Sequence, residues 1–215
     1  WYEATVPGSA QDDLRKLGQM DDPHYADNAD HYRWCEEVDF WYRCSIDPMR
    51  TEPGSRLVLE FGGLDTFATI WIDGVQIGSH DNMFVRFSID VTNHIRSDRP
   101  SELLIRFGAP AFESGFSDRD PGSHAPPQRP RTRRAQITYG WDIGPRLLAT
   151  GPWRPVTLST VQSGRILHSG ARTIALTPGL AEIEMTAAIE WHDRPESGRI
   201  TFAYNATKLD KAIVL

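Results

Sequence analysis

The residues of this chain best suited to chemistry are Trp141 and Asp142, set within Gly140-Trp141-Asp142-Ile143-Gly144-Pro145. Two glycines and a proline fix a tight turn that ends a strand, and between them they hold an indole and a carboxylate side by side. An ionised carboxylate only accepts, so it can take hydrogen bonds from two neighbouring hydroxyls. An indole covers the apolar C–H face of a pyranose and donates through its N–H. The chemistry would be sugar binding. The same pair also reads as a core tryptophan beside a bend, with the aspartate bonding its own backbone in an Asx-turn.

No stretch carries a reaction unaided. There is no Gly-x-Ser-x-Gly elbow, phosphate loop, His-Glu-x-x-His or dinucleotide fingerprint. Glycoside hydrolysis needs two carboxylates facing each other across the bond, about 5–9.5 Å apart, which spacing along a chain does not establish. No catalytic residue and no cofactor is therefore assigned. His24 and His31 stand near Asp21, Asp22 and Asp30 without the repeated spacing of metal-binding loops, so no metal ligand is assigned either. Cys35 and Cys44 are too few for a disulfide scaffold or a zinc site and read as reduced, partly buried thiols. Arg129, Arg131, Arg133 and Arg134 could bind phosphate. In an acidic chain they are expected instead to bridge to another domain or to stay solvated.

The elements that must position the Trp-Asp pair are mostly strands. Ser9-Ala-Gln-Asp12 has the form of a capping box, Leu14 and Leu17 share a face, and Gly18 can close the turn, so one helix is expected over about residues 10–17. Residues 21–39 read as a long polar loop. The period then switches to two through Trp41–Ile46, Leu57–Phe61, Ala68–Ile72, Val85–Ile89 and Leu103–Phe107, with Asp73-Gly74 as a two-residue hairpin turn. Residues 108–134 form a proline- and glycine-rich loop, functional or disordered by its length. Strand pattern resumes at Ala135–Tyr139 and Pro155–Ser159. These short strands predict a jelly-roll β-sandwich over residues 1–162. Alternation from Ile183 to Trp191, then Ile200, Phe202 and Tyr204, opens a second all-β unit over residues 163–215, too short for a whole sandwich of about 100 residues.

The chain has 215 residues, ordinary globular composition and a formal charge of −6. That charge argues against nucleic acid and anionic membrane as partners, since both select a basic face. No run reaches the roughly 18–20 apolar residues of a membrane helix. The chain opens at Trp1, so a removed leader would not be seen, and localisation is left open.

Several stretches, in order, resemble the amino-terminal sugar-binding domain of glycoside hydrolase family two in its β-mannosidase branch. They are Trp1, Ala4-Thr5-Val6-Pro7-Gly8, Asp22-Pro23-His24-Tyr25, Trp34, Trp41-Tyr42-Arg43, Phe61-Gly62-Gly63-Leu64-Asp65-Thr66 and Asn82-Met83-Phe84. Gly140-Trp141-Asp142, Gly144-Pro145-Arg146 and Gly151-Pro152-Trp153-Arg154 complete the series. The resemblance covers about residues 1–160, and it makes residues 163–215 the start of an immunoglobulin-like sandwich. By the same resemblance, Trp141 and Asp142 reach into the mouth of a carboxy-terminal (β/α)8 barrel and contact the sugar, and the barrel's two glutamates do the chemistry. This chain departs from the branch in having Ile143 where a second tryptophan usually follows, and it contains no Asn-Glu pair. The implied function is a non-catalytic fragment of a retaining exo-glycosidase, partnered by carbohydrate and by carboxy-terminal domains of the same protein. A free-standing carbohydrate-binding module, a domain that only scaffolds the barrel, and a domain of a β-galactosidase or β-glucuronidase relative are the alternatives.

Overall fold

A computed structural model of the chain describes residues 1–114, 129, 132–161, 164–177, 180–191 and 194–206. It shows two compact units, Trp1–Arg50 with Leu57–Ser159, and Thr51–Arg56 with Thr160–Leu215.

In the first unit, strands β1 (Phe40–Ile46), β6 (Ser101–Phe107), β3 (Ala68–Ile72) and β4 (Val75–His80) form one sheet in that order. Strands β5 (Phe87–Asp90), β2 (Arg56–Phe61) and β7 (Val156–Val161) form another. Period-two sequence becomes period-two burial: in β3, Ala68, Ile70 and Ile72 are buried, while Thr69 and Trp71 are only half-buried. The two sheets face each other across one core made by Leu57, Leu59 and Phe61 of β2, the inward residues of β3, and Leu103, Ile105 and Phe107 of β6. Each such side chain contributes roughly 1.5–3 kcal/mol by leaving water. Asp73 (φ 48°) and Gly74 (φ 81°) make the expected tight turn between β3 and β4. The all-β sandwich predicted from the strand pattern is what forms.

The expected helix is α1 (Ala10–Lys16). Ser9 Oγ accepts from Asp12 N at 3.2 Å, and Asp12 and Asp13 lie in the first turn with Arg15 and Lys16 in the last, each charge matching the helix dipole. Three local expectations are corrected. Residues 21–39 are not all loop, because Asn28–Glu36 is a 3-10 helix that turns Tyr32, Cys35 and Glu36 inward; its many polar residues obscured the pattern. Ala135–Tyr139 is not a strand. Gln136–Tyr139 is a 3-10 turn whose backbone bonds locally, Thr138 N to Ala135 O and Gly140 N to Ile137 O, both at 3.1 Å.

The third correction concerns the arginines. Arg134 is neither solvated nor bridging outward: its side chain has no exposed surface and donates from Nε to Asp65 Oδ1 at 2.7 Å and to Thr66 Oγ1 at 3.0 Å. Its Nη2 donates to Ala149 O at 2.7 Å, and Thr66 Oγ1 donates to the same carboxylate. Arg133 pairs with Asp81 at the surface, and Arg129 bonds Gln136. Helix α2 (Pro110–Glu113) opens the long 108–134 segment. The disorder considered for that segment and the position of Arg131 lie outside the described residues.

The second unit carries an antiparallel sheet of β8 (Gly164–Thr177), β9 (Leu180–Trp191) and β10 (Arg194–Ala206), with β9 central. The alternation in the β9 sequence does not become alternating burial over residues 183–188, which are uniformly half-buried. No second strand layer covers this sheet among the described residues of the unit.

Two outcomes are expected. Arg134→Met leaves the Asp65 carboxylate buried without its countercharge and should lower unfolding stability by about 3–5 kcal/mol in a urea melt. A loss below about 1 kcal/mol would mean that water or a rearranged side chain replaces the guanidinium. For the thiols, Cys35 is buried and Cys44 is exposed. Burial, helped by the Glu36 charge, pushes the Cys35 thiol up to about 12. Under native conditions at pH 8 only Cys44 should react rapidly with a disulfide reagent, and Cys35 should follow only after denaturation; two fast thiols would contradict this packing.

Candidate functional site

Trp141 and Asp142 sit at the tip of an excursion closed at its base by Leu147 N donating to Thr138 O at 2.9 Å. Near the tip Trp141 and Gly144 exchange backbone bonds, each N–H to the other's carbonyl at 3.0 Å, so Asp142 and Ile143 form a two-residue turn. Gly140 is needed where the chain enters: its φ is 97°, and a Cβ there would lie 3.4 Å from the Arg146 Cβ. The turn leaves its side chains outward. Trp141 is 58% exposed, Ile143 is 89% exposed, and Asp142 is exposed. Among the described residues, none donates a hydrogen bond to the Asp142 carboxylate, so the Asx-turn does not form. Arg129 lies 5.4 Å from the centre of the Trp141 ring, in reach of a cation–π contact.

The excursion is held by groups distant in sequence. Arg146 forks onto Glu36 of the 3-10 helix, Nε to Oε1 at 3.0 Å and Nη2 to Oε2 at 2.5 Å, across 110 positions. Both side chains are largely buried, and Arg146 also lies 5.6 Å over the Tyr139 ring. Beyond the excursion, both ends of the Gln11 amide are used: Nε2 donates to Leu148 O at 3.0 Å, and Oε1 accepts from Thr150 N at 2.8 Å. Asp65 and Gly151 exchange backbone bonds, next to the Arg134 ion pair. Residues 132–152 are thus stitched to α1, to the 3-10 helix and to the loop after β2.

Beside this segment, Met83 N donates to Arg133 O, and the Trp153 indole N–H donates to Met83 O, both at 3.0 Å. The indole lies directly on Gly63, where a Cβ would come within 2.5 Å of Nε1. The Gly62-Gly63, Asn82-Met83 and Gly151–Arg154 stretches, far apart along the chain, therefore meet. Phe84, Val85 and Ile137, on the segments bonded together here, are more than half exposed.

Sequence reasoning singled out Trp141 and Asp142 and missed the pairs Glu36–Arg146 and Asp65–Arg134. A lone glutamate in a polar stretch and one arginine in a basic run carry no local mark of burial. Among the described residues no three His, Cys, Asp or Glu side chains gather in a group that could hold a metal ion, and no helix is long and apolar enough to cross a membrane.

The chain can be set beside known proteins. It is 33% identical over 192 residues to β-mannosidase B of Thermothelomyces thermophilus, covering 86% of this chain and 22% of that protein. It is likewise 33% identical over 204 residues to β-mannosidase B of Aspergillus oryzae, covering 92% of this chain and 24% of the relative. The chain thus spans about a quarter or less of the curated relatives it matches. Among solved structures, a β-D-mannosidase from Dictyoglomus thermophilum superposes with TM-score 0.81 at 27% identity, over 96% of this chain and 29% of that one. An exo-chitosanase from Amycolatopsis orientalis shares the fold at TM-score 0.59 and 16% identity, over 97% of this chain and 24% of that one. The family model for the glycosyl hydrolase 2 galactose-binding domain-like fold matches residues 1–154. With that sandwich in place and these relatives beside it, the chain belongs to glycosyl hydrolase family 2, as an amino-terminal galactose-binding-like domain of the β-mannosidase branch.

Proposed function

We propose that this chain is the non-catalytic amino-terminal part of a β-mannosidase, in which Trp141 and Asp142 contact the sugar. The observation that carries this reading is the outward tip of the 138–147 excursion: an exposed carboxylate with no protein donor among the described residues, beside a half-exposed indole. Leaving a carboxylate unpaired contributes nothing to the fold. It does leave two acceptor oxygens for neighbouring hydroxyls, while the indole supplies an apolar face for the ring carbons.

In the complete protein the carboxylates that attack the anomeric carbon and protonate the leaving oxygen would come from a carboxy-terminal barrel, in the manner of retaining glycosidases. Asp142 would orient the sugar and bind it more tightly as the ring distorts, so its loss reaches turnover as well as affinity. The exposed apolar side chains Phe84, Val85, Ile137 and Ile143 support a domain surface covered by those partner domains. In the same reading residues 1–162 are the sugar-contacting domain, and β8–β10 open the immunoglobulin-like sandwich that follows it.

Asp142→Ala in the complete protein should lower kcat/KM by about a hundredfold or more. Two hydrogen bonds to a charged acceptor are worth roughly 1.5–3 kcal/mol each, and about 1.4 kcal/mol is a factor of ten. The melting temperature should scarcely change, because no protein contact is lost. A near-normal kcat/KM for a chromogenic β-mannoside would retire the sugar-contact role. The 215-residue chain alone should not turn over that substrate; hydrolysis abolished by a substitution within the chain would overturn the non-catalytic assignment.

A further inference from the structure

The bonds inside the 138–147 excursion shape it without aiming it. Leu147 N to Thr138 O and the paired bonds between Trp141 and Gly144 close within the segment, and Gly140 N to Ile137 O reaches only the residue before it. Arg129 over Trp141 adds little direction, since its guanidinium donates to Gln136, which belongs to the adjoining turn. Among the described residues, the fork of Arg146 onto Glu36, at the end of the Asn28–Glu36 helix, ties the excursion to a separate element. A two-point guanidinium–carboxylate fork fixes angle as well as distance, which a single hydrogen bond or a lysine does not. Glu36 is itself held, with Arg33 Nε 3.5 Å from Oε1, and its side chain is only 7% exposed.

We propose that Glu36 and Arg146 are positioning residues for the sugar contact, a buried ion pair that sets the direction in which Asp142 and Trp141 are presented. The inference rests on the sugar-contacting reading above and extends it to two residues that touch no sugar. Its physical basis is a lever. Arg146 follows the Asp142–Ile143 turn within the excursion, and its Cβ stands 3.4 Å from where a Cβ of Gly140 would be. A change in the fork is therefore passed to both ends of the tip. A misplacement of about 1 Å at a reacting centre can cost about a hundredfold in rate.

The test uses the complete protein with a chromogenic β-mannoside and four variants: Arg146→Lys, Glu36→Gln, Asp142→Ala and the double Arg146→Lys/Asp142→Ala. Arg146→Lys keeps the charge and removes the fork. It is expected to lower kcat/KM about tenfold to a hundredfold, with kcat falling as well as KM rising, and to raise amide exchange in a peptide covering 138–147 while β3 and β6 stay protected. In the Asp142→Ala background the same change should have a several-fold smaller effect, because one of the two groups being aimed is already gone and only Trp141 remains to be misplaced. Equal fold-losses in both backgrounds, or unchanged exchange over 138–147, would overturn the proposal while leaving the sugar contact standing. A normal kcat/KM in Asp142→Ala alone would instead overturn the sugar contact, and the exchange measurement then decides by itself whether the fork holds the excursion. Glu36→Gln removes the fork from the other side. If Arg146→Lys misfolds, Glu36→Gln and a fifth variant, Glu36→Gln/Asp142→Ala, give the same comparison.

Discussion

A guanidinium with no exposed surface is the constraint on which the end of the first unit that carries the 138–147 excursion depends. Arg134 can be buried only because Asp65, Thr66 and the Ala149 carbonyl meet it at hydrogen-bond distance. Stripping water from both charges costs several kcal/mol per ion, and that is offset only if the geometry is kept. The ion pair therefore holds three segments together: the loop after β2, the chain entering the excursion and the chain leaving it. Apolar residues at these positions could give comparable stability. They would not specify one register between segments so distant in sequence.

Around that centre the stitching is polar and long-range. The Gln11 amide holds residues 148–150 against α1, Asp65 and Gly151 exchange backbone bonds, and Arg146 reaches back to Glu36. The core of the sandwich has a different character, apolar and supplied by alternate residues of short strands. The two kinds of packing divide the work. Burial of the strand faces stabilises a scaffold tolerant of exchange among similar apolar residues, whereas directional bonds fix an irregular segment that has no ladder to align it. In the proposed role this division matters, since a sugar is recognised through hydroxyls whose directions are fixed.

The exposed Trp141, Asp142 and Ile143 are costly features for a domain considered alone. Apolar surface at Trp141 and Ile143 stays in water, and among the described residues no protein group pairs with the carboxylate. Such residues are expected where a surface serves another body, whether ligand or domain. The chain belongs to the glycosyl hydrolase 2 family and spans about a quarter or less of the β-mannosidases it matches.

Much was legible in the residues themselves, and the reason is range. Strands β1–β3, β6 and β7, the Asp73-Gly74 turn and the Ser9-capped helix announced themselves because short apolar runs, the period-two burial seen in β3 and β6, positive φ and capping are written within a few neighbouring positions. The Trp141–Asp142 pair was likewise visible, framed by its glycines, as was the family through the order of its motifs. Tertiary structure decided the rest. That Asp142 faces outward and closes no Asx-turn, that Ala135–Tyr139 coils, and that Arg134 is buried and Arg146 largely buried against carboxylates were not local facts. An arginine looks the same along the chain whether solvated or buried, in a basic run like Arg134 or alone like Arg146. What separates the two is a carboxylate 69 or 110 positions away, brought near only in the folded structure.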